Sequence, residues 1–317
     1  MAKIKGIFIY SDHPSKSLSI PEIINYLKFY GFSVQYRGDL FEFLALPKEE
    51  ALELARRIAV TRVLDIESPI DEIREPIYGE IDVELRRLKG EGSYLEVGAI
   101  GFAEMPDHHL HYGYADSALP TTRTIHELPL LYDGLWLQRI FYKIMASKNP
   151  SDFNGSFIQI IFTSRLFVTF ETGGSLTTLP LDPQPDRGYP RSQRYHARVV
   201  LTGLPSLIST SGIVEAPARP KEYYWLKASF IHAGKDLSEL DLIYKGRFIE
   251  YEDPRISSVL APYVLQAIFY ELTGNPFCDN PSCCLYNSHW QEEVLKAQIE
   301  GKLCEEHRDV ILGLNSK

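Results

Sequence analysis

The alternation of apolar and polar residues over the first sixty positions predicts strands that alternate with helices. Residues 3–10 (KIKGIFIY) and 32–36 (FSVQY) are rich in β-branched and aromatic side chains, which is typical of strands. Residues 21–31 begin with proline, carry apolar side chains at helical spacing and end at a glycine, so they predict a helix. Residues 48–61 predict a second helix. This β-α-β-α order indicates an α/β layer.

The middle of the chain contains further strand and helix patterns. Residues 135–147 predict an amphipathic helix, and residues 95–103 and 195–202 predict strands. Residues 156–162 (SFIQIIF) and 166–171 (LFVTFE) are separated only by Thr-Ser-Arg, a spacing that predicts a hairpin.

Two segments of the middle region are predicted as loops from their turn-forming residues. Residues 180–193 contain four prolines and form a predicted loop over a cleft. Residues 206–220 (SLISTSGIVEAPARP) combine Ser, Thr, Gly and Pro. Such a loop offers hydroxyl and amide groups to a ligand, but the same groups also satisfy their own turns, and we predict the structural role.

The pattern near the C-terminus predicts a long helix over residues 254–274 that ends at Gly274. Its apolar positions recur at near-helical spacing: Leu260, Val264, Ala267, Ile268 and Leu272. A second helix is predicted over residues 287–300, capped by Asn287 or Ser288, and a short third one over residues 304–312.

Composition narrows the class of protein. Of the 317 residues, 44% are hydrophobic, which is enough to bury a sizeable core. The net charge is −9 and there is no basic tract, which disfavours nucleic acid or an anionic membrane as a partner. No apolar run reaches eighteen residues, and neither a signal peptide nor a glycine-rich nucleotide-binding motif is present. We therefore expect a cytoplasmic protein.

The four cysteines of the chain all lie between positions 278 and 304, and this clustering indicates a metal site. Cys278, Cys283, Cys304 and His307 form the pattern C-x4-C…C-x2-H, in which two short segments each supply two ligands. Zinc in structural sites takes four such tetrahedral thiolate or imidazole ligands. Either Cys283 or the adjacent Cys284 can be the second ligand. In a reducing compartment, clustered cysteines indicate metal binding rather than disulfides.

The residues around the first cysteines resemble the archaemetzincin family of metallopeptidases, in which H-E-x-x-H-x-x-G-x-x-H runs directly into C-x4-C-x-M. Cys278 and Cys283 stand at the first cysteine pair of that pattern, and Cys304 and His307 at the second, with His in place of Cys. The matching positions that bind no metal are Gly274, Leu285 (in place of Met), Asn287, Ser288, Glu292 and Glu293.

The catalytic positions of the archaemetzincin pattern are altered in this chain. Ala267, Glu271 and Phe277 occupy the three zinc-binding His positions, and Ile268 occupies the position of the general-base Glu. The resemblance therefore implies a relative that has lost the catalytic zinc site and keeps a structural zinc. For Glu271 itself, an ion pair with a nearby Arg or Lys is the expected role.

The resemblance and the patterns together predict an α/β (α+β) fold with a zincin-like mixed sheet and packed helices. The turn-rich residues 148–155 mark a boundary. We expect an N-terminal α/β region at 1–150, a zincin-like region at 151–276 and a zinc-binding module at 277–317.

Three functions from different classes agree with these features. The first is a pseudo-enzyme that binds a peptide or another small ligand. The second is an active hydrolase whose metal is held by His109, His111, His126 and Glu271, since the segment that contains His108 to His111 is the richest in histidine. The third is an adaptor whose zinc module binds another protein. One zinc per chain favours the first function, and two favour the second.

Overall fold

The computed structural model describes residues 4–63, 76, 78–91, 130–170 and 195–315. The strands of this part are β1 (Gly6–Asp12), β2 (Val34–Asp39), β3 (Leu131–Asp133), β4 (Phe157–Thr163), β5 (Leu166–Phe170), β6 (Tyr195–Arg198), β7 (Val200–Leu201) and β8 (Ser206–Ser209). The α-helices are α1 (Ile20–Phe29), α2 (Leu40–Leu44), α3 (Lys48–Val60), α4 (Tyr78–Leu88), α5 (Gly134–Lys148), α6 (Gly212–Glu215), α7 (Lys221–His232), α8 (Ser238–Ile243), α9 (Ile256–Thr273), α10 (Gln291–Glu300) and α11 (Glu305–Asn315). The predicted strands at 95–103 and the predicted loop at 180–193 lie outside the described residues.

The main sheet has five strands in the order β2-β1-β4-β8-β7. β1 is parallel to both β2 and β4, and β4 is parallel to β8. β7 is antiparallel to β8 and forms one edge of the sheet. The sheet is therefore mixed, with a parallel centre that needs cover on both faces.

Helices cover both faces of the main sheet because successive side chains of a strand point to opposite sides. On one face, Ile7 and Ile9 of β1 belong to the apolar cluster that contains α1 and α9. On the other face, Phe8 and Tyr10 belong to the cluster that contains α2, α3 and α5. The predicted α/β layer and the mixed sheet with packed helices are confirmed. The boundaries predicted at residues 150 and 276 stay a prediction.

The predicted hairpin of residues 156–162 and 166–171 is wrong. β4 lies in the main sheet, whereas β5 lies in a second, three-stranded sheet in the order β3-β5-β6. The connecting residues Ser164 and Arg165 are buried, at 1% exposure each, instead of forming an exposed turn. Arg165 donates to Asp12 at the end of β1 at 2.8 Å, so it holds the chain in the interior between the two strands.

The predicted loop at 206–220 is also wrong in its first half. Residues 206–209 form β8, which pairs with β4, and α6 follows almost at once. Alternating hydroxyl and apolar residues fit here because the hydroxyls bind backbone groups inside the fold. Ser209 Oγ donates to the carbonyl of Arg165 and Ser211 Oγ to that of Ser164, both at 2.7 Å. The structural role that was predicted for these hydroxyls agrees with these contacts.

The long C-terminal helix is present as α9, two residues shorter at its start than predicted. All five predicted apolar positions are buried. Gly274 follows the helix with φ of 78°, a left-handed conformation that glycine adopts without strain, and it turns the chain toward Cys278. By length and composition α9 could cross a membrane, but 78% of it is buried inside the fold, as in the core helix of a globular protein.

The last two helices begin later than predicted. α10 begins at Gln291, and its start is capped by the Glu293 carboxylate rather than by Asn287 or Ser288. That carboxylate accepts from the backbone N–H of His289 at 3.0 Å and of Trp290 at 3.2 Å. α10 ends at Gly301 as predicted, with φ of 59°.

Candidate metal centre

The four residues predicted from the cysteine pattern lie together in the structure. The ligand atoms of Cys278, Cys283, Cys304 and His307 are all within 4.8 Å of one another. We call this group the Cys3His cluster. It joins the segment that follows α9 to the start of α11, so it ties the end of the chain to the central helix.

The first two ligands are positioned by a tight turn. Cys283 N–H donates to the carbonyl of Asn280 at 2.9 Å, and Cys278 N–H donates to the carbonyl of Leu285 at 3.0 Å. The backbone N–H of Asn280 also points at the Cys278 sulfur, at 3.4 Å. Backbone donors of this kind stabilise a thiolate, which is the form in which cysteine binds a metal.

The second pair of ligands lies at the start of α11. Cys304 Sγ is 3.0 Å from His307 Nδ1 and 3.9 Å from Cys278 Sγ. One helical turn separates Cys304 from His307, so both side chains project to the same side. The ring of Phe269, on α9, meets the imidazole edge-on with centroids 5.1 Å apart and helps to orient it.

Cys284 is not a member of the cluster. Its side chain is fully buried, and the Tyr26 hydroxyl lies 3.6 Å from its sulfur. The same hydroxyl donates to the carbonyl of Gly301 at 2.7 Å. Of the two candidates for the second ligand, the geometry therefore favours Cys283.

The protein environment favours the neutral form of two thiols of the cluster, those of Cys278 and Cys283. Burial raises the pKa of Cys278 to about 12, and hydrogen bonding to Cys284 raises the pKa of Cys283. A divalent cation stabilises the thiolate and reverses this preference, so metal binding at the cluster is coupled to proton release.

Three of the positions that the archaemetzincin resemblance aligns with catalytic residues, Ala267, Ile268 and Glu271, lie on α9. Ala267 and Ile268 are fully buried at 0% exposure in the apolar core. Glu271 lies near the end of α9, and burial raises the pKa of its carboxyl group. Within the described residues no ion pair of Glu271 is present, so the Arg or Lys partner that we expected is not seen there.

Phe277 stands at the fourth position where this chain differs from the archaemetzincin pattern, and it lines a cavity of about 70 Å³. The cavity lies between helix α9 and the segment that contains β6 and β7. Gln266, buried at 1% exposure, also lines it, and its Oε1 atom has no hydrogen-bond partner. Other polar residues of the lining are Arg198, Asn287, Ser288 and His289. The sequence contained no signal for Gln266, since a lone glutamine in an apolar helix has no characteristic pattern.

His109, His111 and His126, which the hydrolase hypothesis needs, lie outside the described residues. In the part of the chain that the structure does describe, the Cys3His cluster is the one group of three or more side chains arranged to hold a metal ion.

The fold and the cluster define a mixed α/β protein with a C-terminal metal-binding group. Residues 189–313 match the model of a family described as "Probable metallopeptidase family (DUF6775)". The match covers less than half of the chain and includes α9 and the whole Cys3His cluster. No curated protein and no solved structure matches the chain. The C-terminal part is therefore similar to a metallopeptidase family.

Proposed function

We propose that this chain is an archaemetzincin-like pseudo-enzyme that holds one structural zinc and binds a peptide without cleaving it. The observation that carries the proposal is the burial of Ala267 and Ile268. Both side chains are sealed in the apolar core at the positions where a zinc-dependent peptidase places a metal ligand and its general base.

The donor set of the Cys3His cluster fits zinc. Three thiols and one imidazole are ligands that zinc binds in tetrahedral structural sites. The ligand atoms lie within 4.8 Å of one another, which leaves room for one zinc ion at ordinary zinc–ligand distances. Four protein ligands fill the coordination shell and leave no position for a water molecule. Zinc bound there supplies folding energy and no catalytic water.

The chemistry of an H-E-x-x-H peptidase cannot be carried out at α9. That chemistry needs two imidazoles one turn apart, a third ligand and a carboxylate that takes a proton from the zinc-bound water. At these positions only Glu271 carries a metal-binding group, and Ile268 accepts no proton. A single carboxylate does not supply the three protein ligands that a catalytic zinc site needs.

The cavity beside Phe277 supports the proposed peptide-binding role. It adjoins the segment of β7, which is the edge strand of the main sheet and pairs on one side with β8. An edge strand can add an extended peptide through backbone hydrogen bonds, with pockets that take alternate side chains. The unpaired Oε1 of Gln266 is an acceptor that a peptide N–H can satisfy.

The proposal includes the cytoplasmic location expected from the sequence. The Cys3His cluster requires reduced thiols, which the cytoplasm maintains. Neither nucleic acid nor a membrane is part of the proposed function.

The chain offers a matched pair of variants for a test of the zinc site. In protein purified without chelator, we expect one zinc per chain in the wild type and in Cys284→Ser, and loss of zinc with a lower melting temperature in Cys278→Ser. Mass spectrometry gives the metal content, and circular dichroism gives the melting temperature. Equal zinc content in both variants would contradict the assignment of the ligands.

The peptide-binding role is tested on the same wild-type protein with a fluorescent mixture of unstructured peptides. We expect an increase in polarisation on binding and no cleavage products. A second zinc per chain, together with cleavage that a chelator abolishes, overturns the proposal and favours the hydrolase with a non-standard His and Glu site. One zinc without any peptide binding favours the adaptor instead.

A further inference from the structure

The order of the strands points to a second site, which shares no residue with the Cys3His cluster. After β1 the chain adds β2 on one side and later adds β4 on the other, so the direction of winding reverses between β1 and β4. In open α/β sheets, ligands bind in the crevice at the carboxyl ends of the strands beside such a reversal. Asp12 and Thr163 are the last residues of β1 and β4, and they are paired in register.

Buried charged side chains meet at this reversal. Arg165 donates from Nε to Asp12 Oδ2 at 2.8 Å and from Nη1 to Glu84 Oε2 at 2.6 Å. The other oxygen of Glu84 accepts from Arg62 Nε at 2.9 Å and from the Tyr132 hydroxyl at 2.7 Å. Asp12, Glu84 and Arg165 have side chains with no exposed surface.

Arg87, on α4, extends the same group. Its Nη2 atom donates to Ser164 Oγ at 2.9 Å, next to Arg165 in the chain, and Arg87 itself is 2% exposed. We refer to the five ionised side chains at this place as the strand-end charge cluster, which consists of Asp12, Arg62, Glu84, Arg87 and Arg165.

The strand-end charge cluster has an excess of positive charge. Burial by itself raises the pKa of Asp12 and of Glu84, but the neighbouring guanidinium groups, that of Arg165 most strongly, outweigh it and lower both values to about 2. Three guanidinium groups therefore face two ionised carboxylates. Asp39 also lies nearby, but it caps the start of α2. Its Oδ1 accepts from the backbone N–H of Phe41 at 2.8 Å.

Within the part of the chain that the structure describes, three buried atoms of the cluster have no hydrogen-bond partner: Arg165 Nη2, Arg87 Nε and Asp12 Oδ1. A buried guanidinium N–H without an acceptor lowers the stability of the fold. Because two such donors lie in one cluster with surplus positive charge, a negatively charged acceptor would satisfy both. The Asp12 oxygen needs a donor, which a hydroxyl of the ligand or an adjacent water can supply.

We propose that the strand-end charge cluster binds a small oxyanion, a carboxylate or a phosphate group, through Arg87 and Arg165. Arginine suits this role because its planar fork matches the oxygen spacing of both groups. The site is separate from the Cys3His cluster, so its existence does not depend on zinc or on the proposed peptide binding.

The test uses thermal unfolding of the full chain in sodium acetate, sodium phosphate and sodium chloride at equal ionic strength. We expect acetate or phosphate at about ten times its dissociation constant to raise the melting temperature by about 3 °C more than chloride. The salt that gives the larger rise distinguishes a carboxylate ligand from a phosphate ligand.

Arg87→Lys is the decisive variant, because lysine keeps the positive charge but lacks the Nε donor. We expect the anion-dependent rise to disappear in Arg87→Lys. It should persist in the control Arg57→Lys, whose exposed side chain pairs with Glu53 on the surface of α3. An equal rise in both variants would show that the anion acts elsewhere and would overturn the proposal.

Equilibrium dialysis of the wild type with radiolabelled phosphate or acetate gives a second test, independent of whether a variant folds. About one bound anion per chain supports the site. No bound anion, with water alone on the unpaired atoms, overturns it.

Discussion

The Cys3His cluster is half-buried and the strand-end charge cluster is buried, and they also differ in how the chain assembles them and in what neutralises them. The Cys3His cluster takes its members from positions 278 to 307 and consists of thiols and an imidazole, which are ligands for a cation. The second joins positions 12 to 165 and already contains ionised pairs with an excess of positive charge. A local cluster with neutral ligands can assemble around a metal, whereas a cluster of distant charges exists only once the sheet has formed.

The largest expected effect comes from removing one charge of the strand-end charge cluster. Glu84→Gln removes the carboxylate that pairs with Arg62 and leaves Asp12 as the remaining ion-pair partner of Arg165, and we expect a loss of about 3–5 kcal/mol in the free energy of unfolding. Urea denaturation measures the change. Glu53→Gln, which removes an exposed ion pair with Arg57, is the control and should change stability by less than about 0.5 kcal/mol. Similar losses in both variants would show that the buried charges are not coupled as the contacts indicate.

Acid should separate the two clusters, because the zinc that we propose must leave when protons occupy the thiolates. The pKa values of Asp12 and Glu84 are lowered to about 2 in the folded state. Their stabilising contribution is therefore complete above the unfolded values near 4 and is lost as the pH falls from about 4 toward 2. During a titration from pH 7, we expect zinc release, followed with a metal-binding dye, to precede global unfolding, followed by circular dichroism. Simultaneous loss of both signals at every protein concentration would contradict this order.

The smallest effect concerns a buried carboxylate that has no guanidinium partner within hydrogen-bond distance. Asp133 caps α5 by accepting from the N–H groups of Leu135 at 3.1 Å and Trp136 at 3.0 Å, and burial raises its pKa to about 6. Because the folded pKa lies above the unfolded one, this group costs stability as the pH rises from about 4 through 6, on the order of 2 kcal/mol. Asp133→Asn keeps the capping oxygen and should abolish that loss. Chemical denaturation at pH 4.5 and pH 8 checks it, and a variant with the same pH dependence as the wild type refutes it.

These contrasts explain why some predictions from the sequence were confirmed and others were wrong. Periodicity indicated α1, α3, α5 and α9 because a helix that packs on a sheet repeats its apolar residues within one local segment. The hairpin between β4 and β5 was wrong because two adjacent strand patterns look alike whether they share a sheet or not. In the folded chain, Arg165 lies buried between β4 and β5 and contacts Asp12 and Glu84, and β5 pairs with β3 and β6 in a different sheet.

The sequence by itself determined three members of the Cys3His cluster, Cys278, Cys304 and His307, and limited the fourth to Cys283 or Cys284, because short spacings limit how far apart the side chains can lie. It also determined that Ala267, Ile268 and Phe277, at three positions where the archaemetzincin pattern has His or Glu, carry no metal-binding side chain. Tertiary structure decided between Cys283 and Cys284, because adjacent residues with the same side chain differ only in the direction in which the backbone points them. It alone decided the strand-end charge cluster, since Asp12, Glu84 and Arg165 become neighbours only when parallel strands bring distant segments to the same edge of the sheet.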